Sequence, residues 1–239
     1  MKGIAWVRSL ARVGMAMTGM VVLAAVSAAQ GTSCQTLGPQ CAQAFTDISF
    51  GACQIGKVAQ AGIMPGCGGG QFCPNAAVTR GEMAVFLENA KHLYSPFNLS
   101  QPIGRFADVP TSFPLACWIE ELYRDGITAG CSLTPPLYCP DSAVNRAQMA
   151  VFILKTTFGS SHVPPACPNP PTFADVPCSS PFAPWIYELV SLCITAGCGG
   201  GNYCPDAAIT RSQMAVFLWN AFLRSPQCTT PCTTCGTCS

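Results

Sequence analysis

One segment occurs three times in this chain, and that repetition limits the possible folds more than any single residue does. Cys73-Pro-Asn-Ala-Ala-Val-Thr-Arg-Gly-Glu-Met-Ala-Val-Phe-Leu87 returns as Cys139-Pro-Asp-Ser-Ala-Val-Asn-Arg-Ala-Gln-Met-Ala-Val-Phe-Ile153. It returns again as Cys204-Pro-Asp-Ala-Ala-Ile-Thr-Arg-Ser-Gln-Met-Ala-Val-Phe-Leu218. The arginines stand at 80, 146 and 211, so the steps are 66 and 65 residues. A period of this kind sets the architecture, and any binding site it carries is multiplied by three.

Each repeat predicts two helices. The first follows Phe-x-Asp-Val/Ile, at Phe45–Ile48, Phe106–Val109 and Phe173–Val176. Trp118, Ile119, Leu122 and Tyr123 in repeat two, and Trp185, Ile186, Leu189 and Val190 in repeat three, share one helix face. Repeat one is shorter there and offers Ile55, Val58 and Ala59. Glycines at 62 and 126, and at 66, 130 and 197, suit helix C-caps and tight turns. The second helix starts from Thr79, Asn145 or Thr210, with Glu82, Gln148 or Gln213 completing a capping box. Met83, Phe86, Leu87 and Ala90, like Met214, Phe217, Leu218 and Ala221, give these helices broad apolar faces. Three such faces are expected to pack as a central three-helix bundle, with the first helices and loops outside it. The fold class expected is mainly α, three helix-loop-helix repeats in a pseudo-threefold domain with disulfide-stabilised loops.

Seventeen cysteines follow an export signal. Lys2, Arg8 and Arg12 precede an apolar run from Val13 to Ala25, too short to span a bilayer, and small-x-small sites end near Ala29. Residues 1–29 therefore read as a secretory signal peptide, and the protein as exported to the periplasm, cell surface or medium, where disulfides persist. Cys67/Cys73, Cys131/Cys139 and Cys198/Cys204 bracket short loops, two of them Gly-rich, and one local disulfide per loop is expected. Cys167 and Cys178 flank Phe173–Val176 and form a fourth candidate pair; Cys41 and Cys53 could do the same around Phe45–Ile48. Cys117, Cys193 and the tail cysteines Cys228, Cys232, Cys235 and Cys238 stay unassigned, and an odd total leaves at least one thiol free or bonded to another molecule. With only His92 and His162 in the chain, zinc is a weak rival to disulfides, and neither a metal nor a cofactor is expected.

Removing the signal leaves nine bases against eleven acids. That balance excludes a broad electrostatic grip on nucleic acid or anionic lipid. No transmembrane span is expected. The domain plan is a signal peptide at 1–29, a lead-in at 30–44, repeats at 45–95, 103–158 and 170–224, and a Cys/Thr-rich tail at 225–239.

The repeated residues resemble the S-layer homology (SLH) family. Its pattern runs Phe-x-Asp-Val, Trp, Gly-Ile-x-x-Gly, Phe-x-Pro, then Thr-Arg-Ala-Glu and a hydrophobic helix. Repeat two offers Phe106–Val109, Trp118, Gly126–Gly130, Tyr138-Cys-Pro140 and Asn145-Arg-Ala-Gln148. Repeat three offers Phe173–Val176, Trp185, Cys193–Gly197, Tyr203-Cys-Pro205 and Thr210-Arg-Ser-Gln213. Repeat one offers Phe45–Ile48, Gly62–Gly66, Phe72-Cys-Pro74 and Thr79-Arg-Gly-Glu82. The likeness covers roughly residues 45 to 224. It implies a three-lobed helical domain that binds an envelope polysaccharide, commonly a pyruvate-bearing wall polymer. It also implies grooves between lobes in which the motif arginine meets a carboxylate. The departures are Gln54 at the Trp position of repeat one, Asn145 for Thr, Gln148 and Gln213 for Glu, and Cys193 for Gly.

Arg80, Arg146 and Arg211 are the sharpest site candidates. Capping explains Thr79 and Glu82 but not a cation in the first turn, which opposes the helix dipole. A guanidinium beside free helix N–H groups is a good carboxylate trap. The competing reading is a salt bridge to Asp47, Asp108 or Asp175. Those aspartates are themselves more readily turn formers than ligand groups. Trp118 and Trp185 either stack on sugar or fill the core. Glu88, Glu120, Glu121 and Glu188 are expected on solvated helix faces, and no nucleophile motif or carboxylate pair points to an enzyme. The function expected is a non-catalytic module binding anionic envelope polysaccharide. The alternative is a disulfide-stabilised surface-assembly or protein-interaction protein that uses the same fold without glycan binding, and the Cys-rich tail is a candidate link to another envelope protein.

Overall fold

The second helix of each repeat begins where its capping box closes. In the computed structural model, Thr79, Asn145 and Thr210 accept from the backbone N–H of Glu82, Gln148 and Gln213, and each of those side chains reaches back to the cap. Each box contributes about 1 kcal/mol. The resulting helices are α2 (Arg80–Lys91), α4 (Arg146–Phe158) and α6 (Arg211–Leu218), and α6 runs on into a π-helical turn, Trp219–Leu223. The first helices are α1 (Ala52–Gln60), α3 (Ala116–Arg124) and α5 (Ala183–Ser191). A two-residue hairpin, β1 (Ser132–Leu133) with β2 (Pro136–Leu137), fills the longer Cys loop of repeat two. The structure describes residues 45–48, 52–93 and 97–224. The signal peptide, the lead-in, the Cys41/Cys53 pairing and the tail lie outside the described residues, among which no helix is long and apolar enough to cross a membrane.

All three first helices end the same way. Ile63 N–H donates to Val58 O while Gly62 N–H donates to Ala59 O. Ile127 and Gly126 do the same to Leu122 and Tyr123, and Ile194 and Cys193 to Leu189 and Val190. This is the paired bonding of a Schellman stop, which needs a left-handed residue at the turn. Gly62 and Gly126 supply it at φ 75° and 69°, whereas Cys193 adopts φ 56° with a side chain attached. A few residues on, Gly66, Gly130 and Gly197 meet the neighbouring loop so closely that a Cβ would strike the carbonyl of Gln71, Leu137 or Asn202.

The fold is mainly α, with α2 against α4 and α4 against the π-helical turn at its centre. Helix α2 is buried from Arg80 to Ala90 except at Glu82. Pairing of helices crosses the repeat boundaries: α2 packs on α3, α4 on α5, and α6 with its π turn on α1. Each first helix thus covers the second helix of the preceding repeat, and the packing unit is out of phase with the sequence unit. A ring of backbone bonds closes the cycle. Val78 N–H donates to Ile209 O at 2.9 Å, Ile209 N–H to Val144 O at 2.9 Å, and Val144 N–H to Val78 O at 3.0 Å. Repeat three is thereby joined to repeat one, and these buried backbone groups are satisfied by each other.

Candidate functional site: the seams between repeats

The motif arginines lie in these seams. Arg80 Nε donates to Tyr138 O at 2.7 Å, Arg146 Nε to Tyr203 O at 2.8 Å, and Arg211 Nε to Phe72 O at 2.8 Å. Each therefore grips the next repeat in the cycle. Each guanidinium also lies near two aromatic rings: Tyr138 and Phe152, Tyr203 and Phe217, or Phe72 and Phe86, at 4.8–5.7 Å. The arginines are 3–5% exposed. Burial pulls their pKa values down, opposed by the charge of the facing aspartate: Asp108 for Arg80, Asp175 for Arg146 and, with Glu82, Asp47 for Arg211. The aspartate each arginine faces belongs to the next repeat, so the attraction acts across a seam.

The carboxylates of these aspartates are committed to backbone. Asp47 accepts from Phe72 and Cys73 N–H, both at 2.8 Å. Asp108 accepts from Tyr138 and Cys139, and Asp175 from Tyr203 and Cys204, at 2.6–2.8 Å. The Phe72 N–H above all holds the Asp47 carboxyl below its ordinary pKa. The clasp has a clear local purpose. Cys73, Cys139 and Cys204 lie at φ 56°, 58° and 59°, a left-handed conformation costly to a residue with a side chain. Each is also tied to its partner across the loop, in the disulfides Cys67–Cys73, Cys131–Cys139 and Cys198–Cys204. Loops of this length give about 2 kcal/mol per crosslink through the unfolded state. Cys167–Cys178 forms a fourth bridge, beneath the start of repeat three.

The three seams are not equivalent. Arg211 has every side-chain nitrogen engaged: Nη2 donates to Pro65 O at 2.5 Å and Nη1 pairs with Glu82 at 3.3 Å. Arg146 Nη2 reaches Thr195 Oγ1 only at 3.5 Å. Arg80 Nη2 is buried without a hydrogen-bond partner. By the repeat's own equivalence, the residues standing where Glu82 faces Arg211 are Gln148 and Gln213, both uncharged. The two Gln-for-Glu departures thus leave the Arg80 and Arg146 guanidinium charges without the carboxylate that neutralises Arg211.

The tryptophans divide. Trp118 is 5% exposed with Phe97 set edge-on at 6.0 Å, a core position. Trp185 is half-buried, edge-on to the His162 ring at 6.0 Å.

Two acids expected in solvent are buried. Glu120 accepts from the N–H groups of Ile103, Gly104 and Arg105, pinning the segment that leads into repeat two. Glu88 is fully buried on α2, and neither carboxylate oxygen has a hydrogen-bond partner. Burial, reinforced by the charge of Asp125, raises its pKa to about 8. The solvated reading failed because α2 is covered by α3 on one side and α4 on another. The repeats did carry the signal: Leu154 and Trp219 occupy the matching positions.

The S-layer homology domain family model matches residues 54–84 and 172–215, within repeats one and three. Repeat two carries the same cap, clasp, Schellman stop and seam arginine. The chain thus carries S-layer homology domain matches in two of its three repeats. Domains of this class are non-catalytic envelope-anchoring modules, and their association with the cell surface agrees with the disulfides among the described residues. Comparison with curated proteins finds no match.

Proposed function

We propose that this protein is an exported, non-catalytic module that docks on an anionic, pyruvate-bearing envelope polysaccharide through the seams between its repeats. The observation that carries this reading is the Arg80 guanidinium. It is aimed by Tyr138 O and two rings, yet Nη2 lies buried with no acceptor. A buried, unpartnered donor on a cation costs about 1–3 kcal/mol or more, and a ligand carboxylate would satisfy it. The Arg146 seam offers a second such site. Arg211, already held by Glu82, contributes the least free capacity, and Trp185 is better placed than Trp118 to meet a sugar face. Asp47, Asp108 and Asp175 act by shaping the loop beneath the seam. Weak sites on one rigid body gain through multivalency.

The test is co-sedimentation of the oxidised protein with envelope sacculi from its host, before and after mild acid removes pyruvate ketals. Binding that disappears with the ketals supports the proposal. Replacing Arg80, Arg146 and Arg211 together with Gln should weaken binding while helical circular dichroism persists. Undiminished binding by a folded triple variant would refute the carboxylate trap, and absence of wild-type binding would point to protein contacts instead.

A further inference from the structure

A second constellation lies between α2 and α3, away from the motif arginines. Glu88 and His92 sit one turn apart on α2, with His92 Nε2 3.6 Å from Glu88 Oε2. Asp125 caps the C-terminal end of α3. One donor atom from each of the three falls within 4.8 Å of the others. Lys91 pairs with Asp125 at the mouth, and Arg124 holds the nearby Glu121.

Each acid stands where the fold alone would disfavour it. Glu88 is a fully buried carboxylate without a hydrogen bond. Asp125 places a negative charge at a helix C-terminus, against the macrodipole. The molecule supplies its own control. Between α4 and α5 the matching positions are Leu154, Phe158 and Leu192; between the π turn and α1 they are Trp219, Leu223 and Ala61. At these three positions the other two seams carry apolar residues, and the acid–imidazole pair of the α4–α5 seam, Glu188 with His162, lies elsewhere, so the architecture does not require polar groups at these places.

We propose that Glu88, His92 and Asp125 form a binding site for one divalent first-row metal ion. Two carboxylates and an imidazole are the donor set that zinc and its neighbours accept, with water filling the remaining positions. The His92 ring is stacked on Phe97 at 3.9 Å and 16°, which fixes the plane of the imidazole. His92 and Asp125 are about one-quarter exposed, giving a cation a way in from the surface. Lys91, 30% exposed, is free to release Asp125 and turn to water when the ion enters. The ion would tie the second helix of repeat one to the first helix of repeat two, at the seam that holds Arg80.

Zinc titration of the oxidised protein tests this, after chelator dialysis and with remaining thiols alkylated so that cysteine cannot contribute. Calorimetry should show one zinc per chain, and zinc should raise the melting temperature. Glu88→Gln keeps the shape and should weaken binding at least about tenfold. The double variant Glu88→Leu with His92→Phe copies the α4 side of the α4–α5 seam, so it should fold and lose both the binding and the thermal shift. No zinc uptake by wild type, or equal uptake by the folded variants, would overturn the proposal and leave Glu88 as a buried protonated acid beside Asp125.

Discussion

The seam between α2 and α3 and the seam between α4 and α5 share one backbone plan but differ in the side chains they carry. The first encloses Glu88 against His92 and Asp125; the second has Leu154, Phe158 and Leu192 at the same places. Both are closed by an arginine on the next repeat's carbonyl and by a carboxylate clasp under a left-handed cysteine. The comparison separates what the fold demands from what was added to it. The clasp, the cap and the seam arginine recur and belong to the fold. The polar triad occurs once among the described residues.

The strongest way to break this comparison is to put the acid where its partners are missing. Leu154 is fully buried. Leu154→Glu would place a carboxylate there with Phe158 and Leu192 at the positions of His92 and Asp125, and with the imidazole of His162 already held by Glu188. We expect a loss of about 3–5 kcal/mol in urea unfolding, the penalty of an uncompensated buried charge. A loss below about 1 kcal/mol would mean that the seam admits water and that the contrast with Glu88 is superficial.

The reverse exchange should have the opposite sign. With metal removed by chelator, Glu88→Leu replaces a buried, unbonded carboxylate by the residue the other seam uses. Stability should rise by about 1–4 kcal/mol in the same assay. A destabilised variant would show that Glu88 already has a partner of comparable worth, and the case for a ligand there would weaken.

These two positions also show how far the sequence could be read. The capping boxes, the paired cysteines and the alternation of two helices per repeat were legible because they rest on local chemistry: an N-cap at Thr79 and an acceptor at Glu82 are three residues apart. The out-of-phase pairing of α2 with α3 was not, since either pairing buries the same apolar faces. The site was half legible. Arg80 stood out as a cation at the wrong helix end, but its grip on Tyr138 O belongs to the next repeat and has no local signature. Glu88 was misread because α2 looks amphipathic by itself and is enclosed only after two neighbours dock.

The clasps test what both seams share. Asp108→Asn retains one acceptor but turns a carboxamide NH2 toward one of the N–H groups of Tyr138 and Cys139. A facing pair of donors should cost about 1–3 kcal/mol. Asp175→Asn should cost the same within error, because Tyr203 and Cys204 present the same pair. Unequal losses, measured by thermal unfolding, would show that the hairpin in the repeat-two loop changes the load on its clasp.

The smallest change sharpens the contrast among the arginines. Glu82 both completes the α2 capping box and neutralises Arg211. Glu82→Gln keeps the box, because Gln148 and Gln213 close theirs with the same side chain. Glu82 is 38% exposed, so the lost ion pair should cost less than about 1 kcal/mol. What should change is the third seam, which would then carry an uncompensated guanidinium like the other two. If seam charge governs docking, Glu82→Gln should bind sacculi more tightly than wild type. The gain should vanish when Arg211→Gln is added. Equal binding by wild type and Glu82→Gln would mean that Pro65 O and Phe72 O, rather than Glu82, keep Arg211 from a ligand.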